Sequence, residues 1–448
     1  MSIAVASLLL ATTDPSRASP CSPAAEAVTE AEWTVLGDGT PGGVSTGQLQ
    51  AALDQGGAFR FDLGTSPVTL VLDAELEVSR ETVLDGGGLV TLSGAGSHRI
   101  LRLTNPSNSS HTVTLQNLIL ADGATPAGSG AAIYKATGGP WQAVSLELIG
   151  VTVRNSVAIA LAQDDGGGGL YATGLDAIRI HDSLFVGNRG SNGGALYSLG
   201  SRALSISDSV FLDNRATGDG GNPGNGGNGG AIGVDGAERR VEVCNVVFEG
   251  NRANAYGGAF FSVAYDASSP TTFEHTTFEG NSNPTADQFA GALYLQGAPF
   301  AIRQSMFRGN EAHSVGALFL GPGATGEIVN STFYDNLARQ GLAGAIAISS
   351  DQPVSILSST IVGNRAPGEV AFAAGISNSP GNSLVLANTL LADNVGGNVW
   401  NPWNIRHPAA SDGGGNLQWP RYRPNGQEEV RATQTTLWAD PLLHPPMP

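Results

Sequence analysis

The chain predicts an all-β solenoid, and three observations carry that prediction. An apolar-x-x-asparagine phrase returns eight times, a glycine-glycine-alanine phrase alternates with it, and the residues between them alternate apolar and polar. The first phrase is Phe185-x-x-Asn188, then Phe211 with Asn214, Phe248 with Asn251, Phe278 with Asn281, Phe307 with Asn310 and Phe333 with Asn336. Ile361 with Asn364 and Leu391 with Asn394 continue it. The second phrase is Gly193-Gly194-Ala195-Leu196, with further copies leading to Ile232 and Phe260 and looser ones to Leu293, Leu318 and Ile346. One unit of this kind cannot bury its apolar face alone, so copies must stack.

Each element follows in order. Residues 1–32 read as a signal-like and flexible N terminus: 3–11 resemble the apolar part of a secretory signal, with small residues up to Ala18 or Ala27. No basic residue precedes that run, so either the true start lies upstream or the segment is a loose terminus. A helix is expected over 45–53, with Leu49, Ala52 and Leu53 on one face, where it would cover the open edge of the first coil. Extended segments follow at 68–72, 75–78, 82–84, 100–103 and 113–120.

Within one repeat, Leu196 and Ser198 share a side, and Leu204 and Ile206 alternate with Ser205 and Ser207. Asp208 breaks the alternation three residues before Phe211; its equivalents are Asp182, Asn245, His275, Gln304, Asn330, Ser358 and Asn388. These are mostly residues that accept tight or left-handed bends. Three short strands and three bends make one coil. At about 4.8 Å per coil, eight coils span roughly 38 Å. The asparagines are expected to form an amide ladder and the phenylalanines an internal stack. The solenoid is expected over 33–398, and 399–448, rich in tryptophan and proline, as an irregular cap or tail.

Composition narrows the function. The net charge of −17 disfavours nucleic acid and anionic membrane as partners, and 21 of the 22 basic residues are arginine, leaving Lys135 alone. No apolar run reaches the roughly 18 residues that span a bilayer. The two cysteines, Cys21 and Cys244, lack metal-ligand spacing, and Cys244 reads as a lone thiol within a strand.

The alternation of Gly-Gly-Ala-Ile/Leu with Phe-x-x-Asn resembles the repeats of polymorphic outer-membrane proteins and, more broadly, the bacterial right-handed parallel β-helix proteins. Gln48 to Leu53 resembles their short capping helix, Leu84-Asp85-Gly86-Gly87-Gly88 their first glycine-rich coil, and Ala439-Asp440-Pro441-Leu442-Leu443 a common closing segment. The resemblance spans residues 45–443. It implies a single-stranded right-handed parallel β-helix of the pectate-lyase-like kind, with an N-terminal capping helix. It is specific for fold and not for activity, because adhesins, passengers and lyases share it.

Three places could carry chemistry. The residue after each glycine-alanine phrase is often aromatic: Tyr134, Tyr171, Tyr197, Phe261, Tyr294 and Phe319, interrupted at Gly233 and Ala347. Alternation points these away from the core, as a stripe that could stack on sugar rings or on itself. Asp164, Asp165, Asp182 and Asp208 are the candidate catalytic carboxylates, or Ca²⁺ ligands, with Asp213 nearby and Arg179 or Arg189 as a basic companion. Gln163-Asp164-Asp165 resembles the double aspartate of polygalacturonase-like hydrolases, but their Gly-His-Gly and Arg-Ile-Lys companions are missing. The glycine-rich loop 216–230 is a third candidate, as a lip or groove edge. The expected function is exported, extracellular or cell-surface binding of a polysaccharide or a partner protein without catalysis. A polysaccharide lyase or glycoside hydrolase, and a structural surface rod, are the alternatives. No cofactor is expected beyond Ca²⁺.

Overall fold

The computed structural model describes residues 19–135, 143–221 and 224–443. The signal-like segment 3–11 lies outside them, as do residues 222 and 223 of the glycine-rich loop. The chain winds as a parallel β-solenoid. In the coil built on the Gly193-Gly194-Ala195 phrase the strands are Leu196–Leu199, Ala203–Ser207, Val210–Leu212 and the two-residue Arg215–Ala216. Every strand pairs in parallel with its equivalent one coil away, and Phe185, Phe211 and Phe248 fall in register. The strands equivalent to Leu196–Leu199 form an 11-stranded flat sheet. The next two strands of each coil belong to one 26-stranded sheet, folded along its length at a bend. Short strands such as Arg215–Ala216 form ladders at the corner.

The bend is where the polar residue was expected to interrupt the alternation. Asp182, Asp208, Asn245, His275, Gln304, Asn330, Ser358 and Asn388 all have φ between 47° and 53°. Left-handed backbone turns the chain there without changing its rung. A second left-handed position follows each copy of the aromatic strand, filled by Gly187, Asp213, Gly250, Gly280, Gly309, Asp335, Gly363 and Asp393. Asparagine, aspartate and glycine dominate both rows because they tolerate that conformation.

The asparagines form an unbroken ladder. Each Nδ2 donates to the next Oδ1, from Asn188 at 3.0 Å to Asn364 at 2.9 Å, and Asn394 closes on Asn404 at 2.9 Å. From Asn214 to Asn394 each Oδ1 also accepts the backbone N–H of the preceding asparagine, as Asn251 does from Asn214 at 3.0 Å, and Asn188 Oδ1 accepts from Ser156 N–H. A second ladder was not foreseen: just after the bend, hydroxyls cap the backbone of the coil before, as Ser305 Oγ does for Thr276 N–H and Ser331 Oγ for Ser305 N–H. Inside the coil the six phenylalanines are fully buried and stack at 4.5–5.1 Å between centroids. One continuous core runs from Val44 to Ala432.

Helix α1, Thr46–Gln55, begins with a capping box between Ser45 and Gln48 and buries Leu49, Ala52 and Leu53. Its Gln50 side chain accepts from Glu77 N–H at 2.8 Å and donates to Glu77 O at 3.0 Å. One amide thus stands in for the missing neighbour of the first flat-sheet strand.

Both ends differ from the sequence expectation. Residues 19–28 are not loose but lie across the outside of the folded sheet, and Cys21 is joined to Cys244 in a disulfide. Cys244 is therefore not a lone thiol. Its neighbour Val243 faces inward, so strand alternation turns Cys244 outward, where a segment far away in sequence meets it. At the other end the ladder runs past residue 398: Ser411–Asp412, Leu417–Trp419 and Leu437–Trp438 add further rungs to the folded sheet.

Candidate functional site

The outward row of the flat sheet begins with Glu77 and Arg102, continues through Tyr134, Tyr171, Tyr197 and Gly233, and goes on to Phe261, Tyr294 and Phe319. Strand alternation puts this row outside the core, as the sequence implied. It does not leave the rings exposed. Phe261, Tyr294 and Phe319 are 1%, 7% and 6% accessible, because Tyr256 and Phe289 from the corner loops lie over them. Tyr171 and Tyr197 are also buried, and Tyr134 alone is half-buried.

The ring faces are occupied as well. Tyr134 and Tyr171 stack at 5.6 Å, Phe261 and Tyr294 at 5.3 Å, and Tyr294 and Phe319 at 5.1 Å. Tyr197 leans over Gly233, where a Cβ would come within 2.8 Å of its ring. An exposed stripe offering one ring face per rung is therefore corrected to a ladder that stacks on itself along the solenoid axis. Burial pushes the Tyr171 phenol well above its ordinary range, and Tyr134, Asp164 and Asp165 push it further.

At the N-terminal end the row opens. The guanidinium of Arg99 sits 4.3 Å from the Tyr134 centroid and that of Arg102 at 5.8 Å. Arg99 is held by Glu75 at 2.5 Å and by the Gly130 and Ser129 carbonyls, whereas the Arg102 side chain is 46% exposed. Thr104 Oγ1 donates to Glu77 Oε1 at 2.9 Å. Glu77, Arg102, Thr104, Asn105, Pro106 and Tyr134 line a shallow depression of about 420 Å³. Arg102, Thr104 and Asn105 gave no periodic signal in the sequence and were missed there; the register of Arg102 with Tyr134 would have found the first.

The four aspartates do not converge. Asp182 and Asp208 occupy neighbouring rungs at the bend of the folded sheet. Asp164 and Asp165 precede the flat sheet, in a loop where Asp165 accepts from Ser129 Oγ at 3.0 Å. Among the described residues no three of His, Cys, Asp or Glu come together as a metal-holding group, so the proposed Ca²⁺ cluster is not assembled from these residues. Asp213 is a second-bend residue. Arg179 pairs with Glu147 at 3.1 Å on the folded sheet, and Arg189 sits in the corner ladder in register with Arg215. His181 Nδ1 faces both Ser207 Oγ at 2.9 Å and Asp208 Oδ2 at 3.5 Å. A nucleophile relay needs those partners on opposite ring nitrogens, so this trio is not one.

Among the described residues of the glycine-rich loop, Gly221 and Gly226 form an antiparallel bridge, and Gly221 lies against the Tyr256 ring. These residues help wall the flat-sheet face.

No protein-family model matches the chain, and no curated protein sequence matches it either. Two solved structures are similar. Tailspike protein 3 of bacteriophage CBA120 is 11% identical with a TM-score of 0.39, over 91% of this chain. The chain spans 62% of that protein's length. The A-module of the mannuronan C-5 epimerase AlgE6 of Azotobacter vinelandii is 12% identical with a TM-score of 0.29, over 86% of this chain and 97% of the module.

Proposed function

We propose that this protein is an exported β-solenoid that binds a glycan without catalysis at the open, N-terminal end of its flat-sheet row. The depression bounded by Glu77, Arg102, Asn105 and Tyr134 carries this reading. It sets a carboxylate, a guanidinium and a phenol side by side, a mixture of donors and acceptors that suits vicinal sugar hydroxyls, while the Asn105 amide is bonded to the Ser109 backbone and shapes the wall. Because Tyr134 is stacked between Tyr171 and the arginines, it presents its edge and hydroxyl rather than a face. Export is supported by the Cys21–Cys244 disulfide, which forms and persists in oxidising compartments. The repeat phrases support kinship with the right-handed β-helix repeats of polymorphic outer-membrane type.

A polysaccharide panel tests the reading. Binding is measured by calorimetry for the wild type, Arg102→Ala and Tyr134→Ala, and polymer length is followed with calcium present. Binding that disappears in both variants, with circular dichroism unchanged, is the expected result. Retained binding would move the site elsewhere, and shortened polymer would make the protein an enzyme.

A further inference from the structure

Residues 19–28 run across the strands of the folded sheet, not along them. They cross a row made of Gln116, Ile149, His181, Ser207 and Cys244, one residue from each of five successive rungs. Val28 N–H donates to Gln116 Oε1 at 2.9 Å, and Gln116 Nε2 donates to Val28 O at 3.0 Å. Ala24 N–H donates to Ser207 Oγ at 2.7 Å, and Ser19 Oγ to Asp208 Oδ1 at 2.6 Å. The fifth attachment is the Cys21–Cys244 bond.

Apolar fastening is slight, limited to Ala25 of the strap and the buried Ile149 in the row it crosses. Ala25 is the one buried residue of this strap, and Glu26, Glu30 and Glu32 are exposed. A cleft of about 470 Å³ remains between the strap and the sheet, and both cysteines line it, half-buried, beside Ser205, Glu242 and Glu274. The Ser19 bond is exposed and the other three are part-buried, and water takes over all of them once the strap lifts, so each contributes only modestly to net stability. Ordering the strap has an entropic cost that those few bonds barely offset. The disulfide shifts that balance by closing a loop whose ends are 223 residues apart. The coils beneath are held by their own ladders and core, none of which uses the strap.

We propose that the strap is a redox latch, closed over the His181–Ser207 row while Cys21 and Cys244 are joined and released when they are reduced. A dithiol supplies the chemistry. One thiolate attacks a cysteine sulfur to form a mixed disulfide, and the second displaces it. Two electrons and two protons pass to Cys21 and Cys244, and the reductant leaves as its own disulfide.

Amide exchange on the full chain tests the latch, comparing oxidised protein, protein treated with dithiothreitol, and a Cys21→Ala, Cys244→Ala double variant. Reduction is expected to lower protection at the Ala24 and Val28 amides by about tenfold or more, leaving Asn251 and Asn281 unchanged. The double variant should match the reduced protein and ignore reductant. Equal protection at Ala24 and Val28 in all three samples would overturn the latch, since the hydrogen bonds alone would then suffice. Loss of protection throughout the rungs would overturn it as well, making the bond a staple of the whole solenoid. So would free thiols in the untreated protein.

Discussion

The Phe185–Phe333 row and the Tyr134–Phe319 row both climb the solenoid one residue per rung, the first inside the shell and the second outside it. Inside, every ring is fully buried and neighbouring planes lie within 19° of parallel. Outside, Tyr171 and Tyr197 are tilted by 49°, Gly233 interrupts the row, and burial runs from half at Tyr134 to nearly complete at Phe261. Strand parity decides which row faces the core. Loop content decides how far the outer row is covered, because only the later coils bring Tyr256 and Phe289 over it. An outward-facing aromatic is therefore not yet an accessible one.

Breaking the interior order should have the largest effect. Asn251 accepts from Asn214 twice and donates to Phe211 O and Asn281 Oδ1. Asn251→Leu strips all four bonds and orphans buried groups, and about 3–6 kcal/mol should be lost. Because solenoids can melt by segments, amide exchange at the flanking Asn214 and Asn281 rungs is the appropriate readout. If the loss stayed below that range, the ladder would be a consequence of the coil rather than a cause of it.

The two rows can be compared directly by truncation. Phe278→Ala should lose about 3–5 kcal/mol, since its cavity is closed on every side. Tyr294→Ala should lose about 2–3 kcal/mol, because its covering loop can settle, and Tyr134→Ala about 1 kcal/mol or less. Urea titrations that rank the three in any other order would remove the distinction between inner and outer ladders.

Filling the interruption should cost less than losing either buried ring. Gly233→Ala places a Cβ against the Tyr197 ring and should cost about 1–2 kcal/mol unless that ring swings away. Tyrosine fluorescence, compared with thermal melting, separates a displaced ring from a strained strand. A neutral substitution would show that the gap is not there to seat Tyr197.

Much of the architecture was legible residue by residue. The eight bend positions were read from their side chains alone, and each has the left-handed backbone those side chains favour. Leu49, Ala52 and Leu53 of α1 were read from helical spacing and are all buried. The site was less legible. Tyr134, Tyr171 and Tyr197 were placed in the right row, but their stacking partners and covers lie in other coils and in loops without periodicity. Asp164 and Asp165 were expected one coil before the Asp182 and Asp208 rungs, and the winding puts the two pairs in different parts of the coil.

What the sequence determined by itself is the repeating part: which residues turn, which stack, which pair by amide, and which face points inward. Those properties are local, and translation by one rung copies each of them along the axis. Only the tertiary structure decided the contacts that cross the rungs. Cys21 finds Cys244 because the strap runs along the axis while the strands run around it. Arg102 meets Tyr134 because register places neighbouring coils side by side. Side-chain alternation along a strand carries no information about which distant segment will cover its outer face.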